Sequence, residues 1–292
     1  MPPGVAVTNS PPAEREAELA RNYAACEALL REKDRDGWLA TLFAPTARRK
    51  HLHALHAFLL EVMEIPGKVT QPLLGEMRLR WWEDALAARE EGSQQAHPVA
   101  DALIDTLDHC SLSQEEVTAF LDAHVADLYD DPMPTMAALL GYCDRTAAAP
   151  LRWSAQALGA PGDGRALTEA GTALGLLRVL RRLPKGGAQF LPEDLLEAHG
   201  ARREDAAAGA ETAQLRAAIA VLIERASEHF DLSRNAAREA DEATRVALLP
   251  VATVPLYLRA MQARDFHPFG ALRDPSPLRR QWRLWRAARA GL

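Results

Sequence analysis

The chain has 292 residues, a formal net charge of −6, 48% hydrophobic residues and 25% charged residues. That is enough chain to bury a full core, and the acidic balance excludes a nucleic-acid binder held by overall charge. Three cysteines, Cys26, Cys110 and Cys143, with no C-x-x-C pair point to reduced thiols in a cytosolic-type compartment and to no zinc site.

Residues 1–12 are rich in proline and small residues and lack the basic start and apolar core of a signal peptide. They read as a disordered leader. No apolar run approaches the ~20 residues of a membrane span, so a cytoplasmic protein is expected, with the inner membrane surface as its possible station. Abundant alanine and only 6% aromatic residues favour helix over sheet.

A first helix is expected from Ala13 to Arg31, broken by Asp34–Gly37, with a short apolar turn from Trp38 to Phe43. Thr46 is an expected N-cap for a helix reaching Ile65, where Pro66-Gly67 stops it. Gln71-Pro72 opens the next helix, which ends at Gly92. On it, Glu76, Arg80 and Asp84 make a solvent-side row at i, i+4, i+8. Leu73, Met77 and Trp81, with Leu74, are expected as its buried stripe.

Further helices are expected over Val99–His109, from the Ser113 capping box to Tyr129, over Thr135–Leu158 and over Leu167–Leu183. Two long ones follow, Glu211–Ala240 and Glu242–Ala263, the second kinked at Pro250 and Pro255. The tail is a basic helix with Leu278, Trp282 and Trp285 at i, i+4, i+7 and Arg279, Arg280, Arg283, Arg286 and Arg289 around them. It either docks on the bundle through its tryptophans or meets an anionic membrane surface through 276–290. With no alternating strand pattern and short connections, the chain reads as an all-α bundle of long antiparallel helices. The domain is expected over 13–270, followed by the basic helix over 271–292.

The stretch Gly171–Gly200 is the most informative. From Gly171 to Pro192 it holds no carboxylate and four cations, Arg178, Arg181, Arg182 and Lys185, beside a helix end and a glycine turn. Elsewhere, His51, His53 and His56 precede Glu61 and Glu64. Only His53 and His56 share a face, short of the convergent ligands a metal needs, so these histidines read as surface or groove residues. Asp101, Asp105 and Asp108 read as a solvated acidic face, and Asp127, Asp130 and Asp131 cluster at a helix end. No phosphate loop, dinucleotide fingerprint or nucleophile elbow is present.

Together, RRKHLHALHAF (Arg48–Phe58), RLRWWEDAL (Arg78–Leu86), Tyr142-Cys143 and GLLRVLRRLPKGGAQFLPEDLLEAHG resemble the squalene/phytoene synthase family. The resemblance runs from about Arg15 to about Phe266 and implies the isoprenoid synthase fold. It also implies two aspartate-rich motifs that hold magnesium against a prenyl diphosphate, so that the leaving group's charge is neutralised. In this chain the first motif falls on Met63, Glu64 and Gly67, which leaves one carboxylate. The second falls on Gly175, Arg178, Val179 and Leu183, so Val179 and Leu183 stand where aspartates are implied. Arg178, a turn glycine, Leu191-Pro192, Asp194 and Gly200 keep the pattern.

PLLGEMRLRWWEDAL (Pro72–Leu86) resembles the non-canonical branch that contains a complex I assembly factor, implying a role in assembling respiratory complex I. A non-catalytic protein acting by binding is therefore expected, with complex I subunits as partners and no cofactor. The alternatives are a prenyl transferase and an isoprenoid or lipid carrier. In the first, Glu61, Glu64 and Asp127 supply a residual magnesium site and Arg178, Arg181 and Arg182 bind the anion.

Overall fold

The computed structural model describes residues 12–88 and 96–290. The expected leader up to residue 11 and the expected helix end at Gly92 lie outside the described residues. Among those described there are helices and no strand.

The first half holds α1 (Pro12–Lys33), α2 (Arg35–Thr41), α3 (Thr46–Met63), the single turn α4 (Ile65–Lys68), α5 (Pro72–Ala87), α6 (Pro98–Cys110) and α7 (Gln114–His124). The second holds α8 (Met136–Cys143), α9 (Ala149–Ala157), α10 (Arg165–Arg182), α11 (Glu193–Ala198), α12 (Arg203–Ala207), α13 (Ala213–Ala236), α14 (Glu242–Ala247), α15 (Val254–Met261) and α16 (Pro277–Ala290). Local chemistry sets many of the starts. The side chains of Asp34, Ser113, Thr135, Thr212 and Asp241 each accept a hydrogen bond from a backbone N–H three residues on, at 2.8–3.3 Å, satisfying first-turn donors.

Several boundaries differ from expectation. Thr46 is already helical; Pro45 takes the cap position without a side-chain bond. The helix expected to reach Tyr129 stops at His124 and tightens into a 3-10 turn, Val125–Leu128. The helix expected over Thr135–Leu158 is interrupted by a π turn, Asp144–Ala148. Pro250 and Pro255 do more than kink: α14, a 3-10 turn at Leu249–Thr253, and α15 replace one helix.

Among the described residues two large apolar clusters fill the bundle, with a small third one under α16. One is built on α1, α3, α6 and α7 around Leu55, Phe58, Leu103 and Phe120. The other centres on α10 and α13, around Leu176, Leu180, Ile219 and Leu222. Helix α9 feeds both, through Trp153 to the first and Leu151 to the second.

The register of α5 is opposite to the expected one. Its buried residues are Gly75, Leu79, Trp82, Ala85 and Leu86, while Leu73, Leu74, Met77 and Trp81 are 62%, 44%, 62% and 38% exposed. The helix carries two apolar stripes, and the one containing Gly75 wins. A Cβ on Gly75 would collide with the Leu128 side chain, so only that face can approach so closely. Trp82 then packs edge-on against Phe58 at 4.9 Å.

The acidic face expected on α6 also turns partly inward. Tyr23 on α1 donates to Asp105 at 2.6 Å, and Asn22 donates to Asp101 at 3.4 Å. These carboxylates anchor α6 to α1.

Candidate functional site

A cavity of about 110 Å³ lies where α2, α3, α9 and α10 meet. Its polar lining is Asp34, His56, Ser154 and Arg178, and Met63 and Leu174 are among its apolar walls. Leu174 and Arg178 reach it together because they are one helical turn apart on α10. Residues on the other faces of that helix, Leu176, Val179 and Leu180, go to the core with Leu183 just past its end.

The cavity's charges are few. Arg178 Nη1 donates to the Thr146 carbonyl of the π turn at 3.1 Å, and among the described residues no carboxylate forms an ion pair with it. Burial lowers its pKa. His56 Nε2 lies 3.5 Å from Ser154 Oγ, and burial pushes the imidazole down to about 4, so it is neutral near pH 7. Asp34 spends one oxygen on the Gly37 N–H at 2.9 Å.

Twenty residues' worth of chain around Gly171–Phe190 is locked into the second half by close packing. A Cβ on Gly175 would stand 2.6 Å from the Cys143 Cβ, and one on Gly171 would collide with Ala148. These two glycines let α8 and the π turn press directly on α10. Space that a larger residue at position 175 would occupy is filled by Cys143.

A second polar assembly sits at the end of α7. Asp127, whose side chain is 2% exposed, takes Arg182 Nη1 and Nη2 at 2.6 and 3.0 Å. It also takes the Tyr142 hydroxyl at 2.6 Å and lies 2.7 Å from His124 Nδ1. Burial alone would raise this carboxyl; the hydrogen bonds and charges of His124 and Arg182 overcome that and hold it well below the usual carboxylate range. Burial and the neighbouring Asp127 push the Tyr142 phenol up.

The residues expected to act together do not meet. Arg182 is neutralised by Asp127. Arg181 is exposed, pairs with Asp274 at 3.0 Å and lies over the Tyr257 ring. Only Arg178 of the three faces the cavity. Glu64 is held by Lys33 and Lys68 at 2.6 and 2.7 Å, and these bonds lower its pKa. Glu61 faces His97 at 3.6 Å; burial raises its carboxyl. So Glu61, Glu64 and Asp127, which the prenyl-transferase alternative would combine into a residual metal site, each have a separate partner. Val179 and Leu183 are 1% and 3% exposed. This donor set does not fit a magnesium cluster, and among the described residues no three His, Cys, Asp or Glu side chains converge as ligands.

The histidines are also displaced from expectation. His51 and His53 are buried, not on the surface. His51 Nδ1 lies 3.1 Å from the Tyr23 hydroxyl and 3.0 Å from Thr106 Oγ1, and His53 Nε2 lies 2.9 Å from Thr41 Oγ1. Sequence reasoning missed Asp34 and Ser154 as cavity residues; one looked like a helix breaker and the other like an isolated serine. Tyr142 was legible only as part of a landmark pair.

Helix α16 docks through Leu284 and Ala287 onto Ala40, Leu249 and Ala252, with Arg280 paired to Asp36 at 2.6 Å. The expected docking through tryptophans is not found. Trp282 and Trp285 stack on each other at 5.0 Å, and Leu278, Trp282 and Trp285 are exposed. No helix among the described residues is long and apolar enough to cross a membrane.

The family model for squalene/phytoene synthase matches residues 30–286. Complex I assembly factor 6 of Bos taurus is 26% identical over 249 residues, 84% of this chain and 75% of that protein. The presqualene diphosphate synthase of Rhodopseudomonas palustris is 30% identical over 199 residues, covering 66% and 71%. Among solved structures, squalene synthase HpnC from Alicyclobacillus acidocaldarius superposes with a TM-score of 0.73 at 23% identity, over 84% of this chain and 95% of that one.

Proposed function

For a chain that belongs to the squalene/phytoene synthase family, we propose a non-catalytic role: it acts by binding, in the assembly of respiratory complex I. The observation that carries this is the burial of Val179 and Leu183 in the core, at the positions where catalytic members are expected to present aspartates. A diphosphate leaving group needs its developing charge stabilised, and Arg178, the single cation lining the cavity among the described residues, is a poor substitute for a metal cluster. The relatives named as assembly factors support the same reading. The cavity, at about 110 Å³, falls below the roughly 300–1,000 Å³ of ordinary ligand pockets and is too small to enclose a prenyl chain.

Deleting the chain in its native organism tests the role. Membranes should lose NADH:quinone reductase activity and the assembled complex, and both should return with the Arg178→Ala variant as well as with the wild type. A deletion strain with normal complex I would overturn the assembly role. Release of diphosphate from farnesyl diphosphate with magnesium, abolished in Arg178→Ala, would instead restore the enzyme.

The station proposed for this work is the cytoplasmic surface of the inner membrane, through α16. Its exposed Leu278, Trp282 and Trp285 lie among arginines, a composition suited to an anionic interface. Sedimentation with vesicles containing 30% phosphatidylglycerol should carry the chain down, and Trp282→Ala/Trp285→Ala should leave it in solution. Equal sedimentation of wild type and variant would remove α16 from the contact.

A further inference from the structure

We propose that the outward face of α5 is a docking groove for a basic amphipathic helix of a partner protein. The groove does not depend on the complex I role, and no residue of the cavity or of α16 contributes to it.

Three observations carry it. The first is the exposed stripe itself. Leu73, Met77 and Trp81 sit at i, i+4, i+8 and Leu74 lies beside them, so four large apolar side chains face outward along one helix. Single exposed apolar residues are ordinary, whereas a contiguous row marks an interaction surface. The second is shape. Leu73, Met77 and Trp81 form one wall of a groove of about 670 Å³, whose far side is Asp122 and Val125. A groove beside a helix with apolar residues at helical spacing is what an amphipathic helix fills. Trp81 is pre-set for this, its ring packed edge-on against Trp82 at 5.0 Å and His97 at 5.1 Å.

The third observation is charge, and it selects the occupant. Glu76, Glu83, Asp84 and Asp122 line the groove, against Arg80 alone. Arg80 is already paired with Glu83 at 2.8 Å. An anionic membrane would be repelled by this rim. A two-fold pair of copies meeting on this face would set the carboxylates against each other. A helix with apolar residues on one face and lysine or arginine along its edges satisfies both wall and rim.

The test uses the full chain and two labelled 14-residue peptides with identical leucine positions, one with lysine and one with glutamate elsewhere. By fluorescence anisotropy the leucine/lysine peptide should bind and the leucine/glutamate peptide should not. Met77→Glu and Leu73→Glu should each weaken binding at least tenfold without changing the melting temperature, since both side chains are largely outside the fold. Trp282→Ala/Trp285→Ala should bind like the wild type. Equal binding of the two peptides, or undiminished binding by Met77→Glu, would overturn the groove. Self-association of the wild-type chain that Met77→Glu abolishes would give the face to a second copy and overturn the partner helix.

Discussion

Arg178 and Arg182 stand one turn apart on α10 and live in opposite electrostatic circumstances. Arg182 meets a complete set of partners: both oxygens of Asp127 and the Tyr142 hydroxyl. Arg178 meets one backbone carbonyl and a small cavity. Burying a charge is costly without a partner, so the first arginine is part of the scaffold's own bonding. The second is held in place by the helix around it. The difference locates what remains of a site in this fold. Where charge has been closed off by a carboxylate, the residue joins α10 to the end of α7; where it has not, the cavity keeps an unspent cation.

The closed assembly should give the largest effect when broken. Asp127→Ala strips Arg182 of its carboxylate and leaves the Tyr142 hydroxyl and His124 facing an apolar gap. Because Arg182 keeps some solvent access, the loss should be about 3 kcal/mol, the low end for a broken buried pair. Thermal unfolding would read it as a fall of roughly 5 °C. A fall under 2 °C would mean the assembly adds nothing to the scaffold and would erase the contrast.

The cavity has its own signature in acid. His56 has its pKa lowered by burial to about 4, against an ordinary value near 6.5. A histidine depressed in the folded state stabilises fully above its unfolded pKa, and that contribution is lost as pH falls from 6.5 towards 4. Between pH 7 and pH 5, His56→Gln should remove about 2 kcal/mol of the acid-induced loss of stability. Matching pH profiles for wild type and variant would show that the cavity admits water and charge freely. Smaller again is Gly175→Ala, whose added methyl meets Cys143. Overpacking, partly offset by the better helix propensity of alanine, should leave about 1 kcal/mol of net loss.

Much of the fold was legible because its signals are local. Ser113 and Thr135 announce helix starts through their own chemistry, while Pro250 and Pro255 signal a kink where the chain breaks into separate pieces. The squalene/phytoene synthase pattern in Gly171–Gly200 placed α10 and Arg178. The register of α5 was not legible, since both of its stripes are apolar and the choice rests on Gly75 meeting Leu128, 53 positions away. The Asp127–Arg182 pair joins residues 55 positions apart, and nothing near either one signals the other. Both failures are of the same kind: a helix states its faces, and its neighbours decide which of them is used.

Arg178→Met is the smallest expected change in stability and the most discriminating test of what the cavity keeps. Removing a buried cation that lacks a carboxylate, with a side chain of similar length, should leave the melting temperature within about 1 °C, because the desolvation recovered offsets the hydrogen bond lost to Thr146. If the cavity is only a remnant, assembly of complex I should be as unaffected by this variant as the fold is. If a ligand anion is what keeps Arg178 in place, stability would hold and assembly would fail. A large drop in melting temperature would show instead that Arg178, like Arg182, has become part of the scaffold, through the carbonyl of the π turn that Gly171 and Gly175 let press against α10.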